Sequence, residues 1–282
     1  MILDGKVVAA SIKEQLKQKI DEAVELGARR PRLVIISVGD DPASAVYVRN
    51  KIKACEEVGI EAYQFNFEPT FQMVDYILGL IERSNADPKV DGIMVQLPLP
   101  EGWNERPIID AIDPRKDVDG LTTTNIGRLR SGQDCLKPCT AAGIIDLLAY
   151  YDIELDGKDV TIIGRSNIVG KPLADMMMAG GATVTQCHSH THYLALHTIK
   201  ADIVVSAVGK PKFLDDDYFS LDTEAVVDVG INRDEEGKLC GDVDFDSVED
   251  MVGAITPVPG GVGPMTVAEL MKNTVTAWLR NL

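Results

Sequence analysis

Tyr47 and Lys51 stand four residues apart in a segment of helical pattern running to Gly59, so their side chains share one helix face. Such a pair is a candidate for catalysis, although bare Tyr/Lys pairs at this spacing usually decorate ordinary surfaces. Three further features sharpen the chemistry. Gln96 falls late in the apolar run "DGIMVQLPLP" (91–100), and strand ends of parallel sheets are where ligand groups gather. Asp117 and Asp119 sit in the glycine-flanked loop "KDVDG" (116–120). Pro259, Gly260 and Gly261 belong to "TPVPGGVGPMT" (256–266), a stiff loop whose glycines let backbone approach a flat ligand closely.

A second constellation lies in "DVTIIGRSNIVGKPLADMM" (159–177). A β-branched run feeds Gly164, and a helical pattern resumes past Gly170, which is the strand–turn–helix grammar of a dinucleotide loop. Ser166 replaces the glycine that lets backbone approach a pyrophosphate, but its hydroxyl can donate to phosphate and the next helix start offers free amides. The ordinary alternative is a turn with a packing glycine. An acid ~20 residues past the loop would mark NAD. Here the following strand leads into Cys187-His188-Ser189-His190-Thr191-His192, with no acid, while Arg165 can reach a 2′-phosphate. NADP is therefore expected over NAD, with Ser189 and His190 as further donors. The three alternating histidines also suit zinc, but no distant Cys/His pair completes a ligand set, so no metal is expected.

The elements that must position these groups alternate along all 282 residues. Strand runs at 32–39, 61–67 and 91–100, with helices at 12–24, 44–59 and 70–84, predict a first parallel α/β layer. Strand runs at 159–163, 182–187, 202–208 and 225–231 predict a second, after a stretch (113–138) of low periodicity. The expected fold is α/β, with two α/β domains flanking a cleft and the second domain of Rossmann type. The expected boundaries are 1–120 plus 266–282 for the first domain and 121–265 for the second, with 140–151 a connecting helix. Twenty-eight basic against 44 acidic side chains give a net charge of −16, which disfavours nucleic acid and anionic membranes as partners. No apolar stretch approaches the ~20 residues of a membrane span. The opening residues do not read as a signal peptide, and five cysteines lack framework spacing, so a cytoplasmic chain is expected.

The segments "YVRNK" (47–51), "DGIMVQLPLP" (91–100), "DPRKDVDG" (113–120), "GRSNIVGKP" (164–172) and "PVPGGVGPMT" (257–266) resemble, in order and across essentially the whole chain, the bifunctional methylenetetrahydrofolate dehydrogenase/methenyltetrahydrofolate cyclohydrolase family of FolD type. The resemblance implies oxidation of 5,10-methylenetetrahydrofolate with NADP, or less often NAD, and hydrolysis of the methenyl product to 10-formyltetrahydrofolate. It implies Lys51 as the catalytic group, Tyr47 stacking on the folate, Gln96 bonding Lys51, and Asp119 anchoring the pterin, with Pro259, Gly260 and Gly261 lining the folate site. Gly164, Arg165, Ser166, Val169, Gly170, Ser189, His190 and Ile231 are implied at the cofactor, and a homodimer pairing through the cofactor domain is implied as the assembly. His190 stands where NADP users often carry Lys or Arg, and "PCTA" (138–141) replaces the usual "PCTP". A shikimate-type NADP dehydrogenase and a non-catalytic dinucleotide-binding module are the rival readings.

Overall fold

Alternation along "RLVIISV" decides the first sheet in a computed structural model that describes residues 1–40 and 42–282. Strand β1 (Arg32–Val38) buries Leu33 and Ile35 on one face and Val34 and Ile36 on the other. A strand buried on both faces belongs at the centre of a sheet, and β1 lies between β2 (Glu61–Phe67) and β3 (Gly92–Val95), all parallel. Leu33 and Ile35 pack among residues of α1 (Gly5–Glu25), α2 (Pro42–Val58) and α10 (Val262–Leu279), including the fully buried Trp278. Val34 and Ile36 pack among residues of α3 (Met73–Ala86) and α4 (Glu105–Asp110). The predicted strand 91–100 stops short: Gln96 N–H still reaches Ile36 O at 2.7 Å, but Pro98 has no amide to extend the ladder.

The contacts gather the chain into two units, one of Ala10–Cys139 with Val267–Leu282 and one of Met1–Ala9 with Thr140–Thr266. The first, which carries Lys51, also holds the stretch of low periodicity. That stretch is not all loop. It contains α5 (Thr123–Arg130), begun by Thr122, whose Oγ1 accepts from Asn125 N–H. Eight residues interrupted by Gly127 are too few for helical periodicity to register in the sequence.

The second unit is built on a five-stranded parallel sheet. Its strands are β4 (Asp159–Ile163), β5 (Thr183–Cys187), β6 (Ile203–Ser206), β7 (Ala225–Asp228) and β10 (Ala254–Ile255), in the order β10-β7-β6-β4-β5. The chain adds β5 on one side of β4 and β6 on the other, so the winding reverses between β4 and β6. A doubly wound sheet opens its ligand crevice at such a reversal, past the carboxyl ends of the strands. Helices α6 (Cys139–Tyr150) and α7 (Gly170–Ala179), short helices α8 (Ala195–Thr198) and α9 (Phe245–Val248), and the antiparallel pair β8 (Asn232–Arg233) and β9 (Leu239–Cys240) complete it. Both units are thus parallel α/β layers, the class the alternating sequence predicts, and the second has the Rossmann winding. Among the described residues no helix is long and apolar enough to cross a membrane.

One buried cation anchors the loop that leads to Asp119. Lys116, 6% exposed, donates to the carbonyls of Ser84, Asn85 and Asp87 at 2.7–2.9 Å, satisfying the open C-terminal end of α3. Lys116→Met leaves those acceptors unpaired and should cost about 2–4 kcal/mol. A lowered urea midpoint is expected; a wild-type midpoint would mean that water can replace the ammonium.

Candidate active site

Helix α2 brings Tyr47 and Lys51 one turn apart. Lys51 is 8% exposed, and among the described residues its Nζ donates to Gln96 Oε1 at 3.1 Å and lies 3.8 Å from Met94 Sδ. Both partners are uncharged. Gln96 is itself held, with Nε2 donating to Leu97 O at 2.6 Å and its main chain tied to β1, so its carbonyl oxygen faces the amine. An oriented neutral amide fixes the amine in space without clamping it in the ion pair a carboxylate would form. Tyr47 is 39% exposed, and partial burial pushes its hydroxyl pKa up.

The two aspartates of "KDVDG" separate into different roles. Asp117 is buried and turned on its own loop: its carboxylate accepts from Leu121 N–H, Thr122 N–H and Asn125 Nδ2 at 2.8–3.2 Å. Asp119 is left free of that task. Burial raises its pKa, the Lys51 charge opposes that shift and the Asp117 charge adds to it, while the neighbouring Cys139 thiol donates to Val118 O. Lys51, Gln96 and Asp119 therefore belong to one electrostatic neighbourhood.

A cavity of about 290 Å³ opens at the carboxyl ends of β1–β3, lined by Ser37, Ser44, Gln64, Asn66 and Gln96 among others. Ser37 Oγ donates to Asn66 Oδ1 at 2.9 Å and accepts from Gln64 Nε2 at 3.2 Å. Ser37, Gln64 and Asn66 went unnoticed in the sequence. The available signal was the i, i+2 spacing of two amides in the strand 61–67, which puts them on one face, with Ser37 in register beside Asn66.

In the second unit the turn after β4 is as close as its glycines suggest. A Cβ on Gly164, whose φ is +132°, would lie 2.5 Å from Ala207 O, and one on Gly170 would lie 2.3 Å from Gly164 O. Side chains are excluded at both points because the turn packs tightly on itself and on Ala207, just before the ten-residue helix α7. Ser166 has a task the sequence did not suggest. Its Oγ accepts from the amides of Val169 and Gly170 at 3.1 and 3.4 Å, so only its own O–H proton remains for an outside acceptor. Arg165 is exposed beside it.

Gly164 N–H donates to Cys187 O, so the turn carrying Ser189 and His190 leaves the sheet next to the glycine loop, with both side chains exposed. His188 Nδ1 accepts from His190 N–H, and among the described residues no group of three or more His, Cys, Asp or Glu is placed to hold a metal. In the loop of Pro259, Gly260 and Gly261, Gly260 has φ +118° and Gly261 N–H closes a turn onto Pro257 O. Ile231 is 49% exposed, with its Cδ1 beside Gly263 of the same region. An NADP-type ligand fits these residues on structural grounds: a tight glycine turn with an exposed Ser166, the N-terminus of α7 and the exposed Arg165 guanidinium lie at the sheet's reversal point.

Gly170→Ala should force the backbone at Gly164 to move, at a cost of about 1–3 kcal/mol. The unfolding midpoint should fall accordingly; an unchanged midpoint would show slack in the loop.

Comparisons with known proteins bear on both units. The family model for the tetrahydrofolate dehydrogenase/cyclohydrolase catalytic domain matches residues 3–119, and that for the NAD(P)-binding domain of the same family matches residues 138–282. The bifunctional protein FolD of Agathobacter rectalis is 52% identical over 280 residues, covering 99% of each chain. The crystal structure of the bifunctional FolD methylenetetrahydrofolate dehydrogenase/cyclohydrolase from Campylobacter jejuni superposes with a TM-score of 0.96 at 46% identity, covering 100% of this chain and 99% of that one. The Trypanosoma brucei enzyme, complexed with NADP and inhibitor, has a TM-score of 0.93 at 35% identity, covering 99% and 97%. A shikimate dehydrogenase from Aquifex aeolicus, at 15% identity and a TM-score of 0.51, shares the fold alone. With both family domains matched and a relative half identical along its full length, the chain belongs to the tetrahydrofolate dehydrogenase/cyclohydrolase family.

Proposed function

We propose that the chain oxidises 5,10-methylenetetrahydrofolate to 5,10-methenyltetrahydrofolate with NADP and hydrolyses that product to 10-formyltetrahydrofolate. The observation that carries this reading is the buried Lys51 amine held by the neutral Gln96 amide. NADP, when bound, supplies the hydride acceptor. The chain's own contribution to the oxidation is placement. Tyr47 offers a half-exposed ring for stacking, and Asp119 offers a carboxylate that can accept from the N–H edge of a pterin.

Hydrolysis asks more of side chains. Water oxygen bonds to the bridging carbon, the bond from that carbon to N5 breaks, N5 gains a proton, and one proton leaves overall. Lys51 Nζ is the group suited to relay those protons, and Gln96 keeps it aimed. In the cofactor unit, Arg165 would take the 2′-phosphate, the Ser166 hydroxyl and the positive end of the α7 dipole would face the pyrophosphate, and Ser189, His190 and Ile231 would flank the adenosine and nicotinamide ends. Pro259, Gly260 and Gly261 supply the backbone wall for folate. The reading includes a cytoplasmic homodimer; the five free, buried cysteines suit a reducing compartment.

Lys51→Met should lower cyclohydrolase turnover by at least about 10²-fold, the range of a lost acid–base group, while folate binding changes little. Equal loss of both would contradict a proton-handling role. Arg165→Ala should raise the KM for NADP about tenfold and leave that for NAD unchanged, as expected for one lost contact to a charged phosphate. An unchanged NADP KM would place the phosphate elsewhere.

A further inference from the structure

Asp242 is fully buried, yet it lies outside every motif that marks the cofactor loops. Its Oδ2 accepts from Ser206 Oγ at 3.0 Å and Val208 N–H at 2.8 Å. Its Oδ1 accepts from Lys210 N–H and Asn232 Nδ2, both at 2.9 Å. Those donors lie at the end of β6 and in the loop that follows it, and at the start of β8, where the loop after β7 ends. The first of these loops is the wall that Gly164 touches, through Ala207 O, and Ala207 N–H in turn donates to Ile163 O. The second contains Ile231. Gly230 is also pressed onto the carboxylate, since a Cβ there would lie 2.2 Å from Asp242 Oδ1.

We infer that Asp242 is a positioning residue for the dinucleotide site, one carboxylate that fixes the loops after β6 and β7 against the glycine loop. The inference rests on the cofactor reading above and goes beyond it, because Asp242 touches no proposed ligand group. Four donors match the acceptor capacity of a carboxylate. An amide cannot replace it. With Nδ2 in the place of Oδ1, Lys210 N–H loses its acceptor; with Nδ2 in the place of Oδ2, Val208 N–H does. The neighbouring Asp228 braces the same point, its Oδ1 accepting from Asp242 N–H and Gly230 N–H and its Oδ2 from Val243 N–H.

The test is NADP titration by calorimetry on wild type, Asp242→Asn and the milder Ser206→Ala, with hydrogen exchange of the amides at 207–210 and 229–232. Asp242→Asn should weaken NADP binding about tenfold or more and speed exchange in both loops. In kinetics the KM for NADP should rise, while kcat at saturating NADP and the KM for folate stay within about twofold. A folded Asp242→Asn that binds NADP like wild type would overturn the inference. If that variant does not fold, Ser206→Ala decides: a smaller loss of NADP affinity supports the inference, and wild-type affinity overturns it. Failure of wild type to bind NADP would strike the cofactor reading instead, and unchanged exchange in the two loops would still overturn the positioning role.

Discussion

A parallel sheet leaves the loops at its ends without ladder partners, and buried polar side chains take up that role in both units. Each backbone amide and carbonyl in such a loop needs a partner or exposure to water. Asp117 collects the amides of the turn before α5, Lys116 collects the last carbonyls of α3, and Asn273 Nδ2 donates to Val118 O and Lys137 O. In the other unit Asp242 and Asp228 do the same for the loops after β6 and β7. Because these side chains bind backbone, the loop shapes are specified before any ligand arrives, which is the preorganisation that binding and catalysis both exploit.

The division of labour within "KDVDG" follows from that constraint. One aspartate must hold the loop, which frees the other to face the Lys51 neighbourhood. Asp117 is engaged by backbone and Asn125, whereas the pKa of Asp119 is raised by burial and answers to Lys51. A similar split occurs at Ser166 and Arg165: the serine oxygen stiffens the turn before α7 and the guanidinium remains exposed.

Much of this was legible because local pattern and tertiary role agree. The apolar run at 32–39 predicts a buried strand and Arg32–Val38 forms one at the centre of its sheet, and the strand at 61–67 is found with the predicted bounds. Tyr47 and Lys51 share a face because helical spacing alone dictates it. Other features were hidden for physical reasons. Helix α5 is too short to show a period, and the predicted strand 91–100 loses its second half to Pro98. The capping role of Ser166 depends on how the turn closes, which no spacing rule encodes. Asp242 is invisible for the same reason, since "CGDVDF" (240–245) reads as a polar loop until β6 and β7 are seen to converge on it.

On the proposed reading, one chain joins a folate site organised by Lys51 and Gln96 to a dinucleotide loop suited to NADP. The most direct test of that reading follows NADPH formation and 10-formyltetrahydrofolate release from 5,10-methylenetetrahydrofolate by the purified protein, with NAD in parallel. The account predicts both products with NADP and markedly slower turnover with NAD. Absence of turnover with either cofactor, on protein shown to be folded, would contradict it.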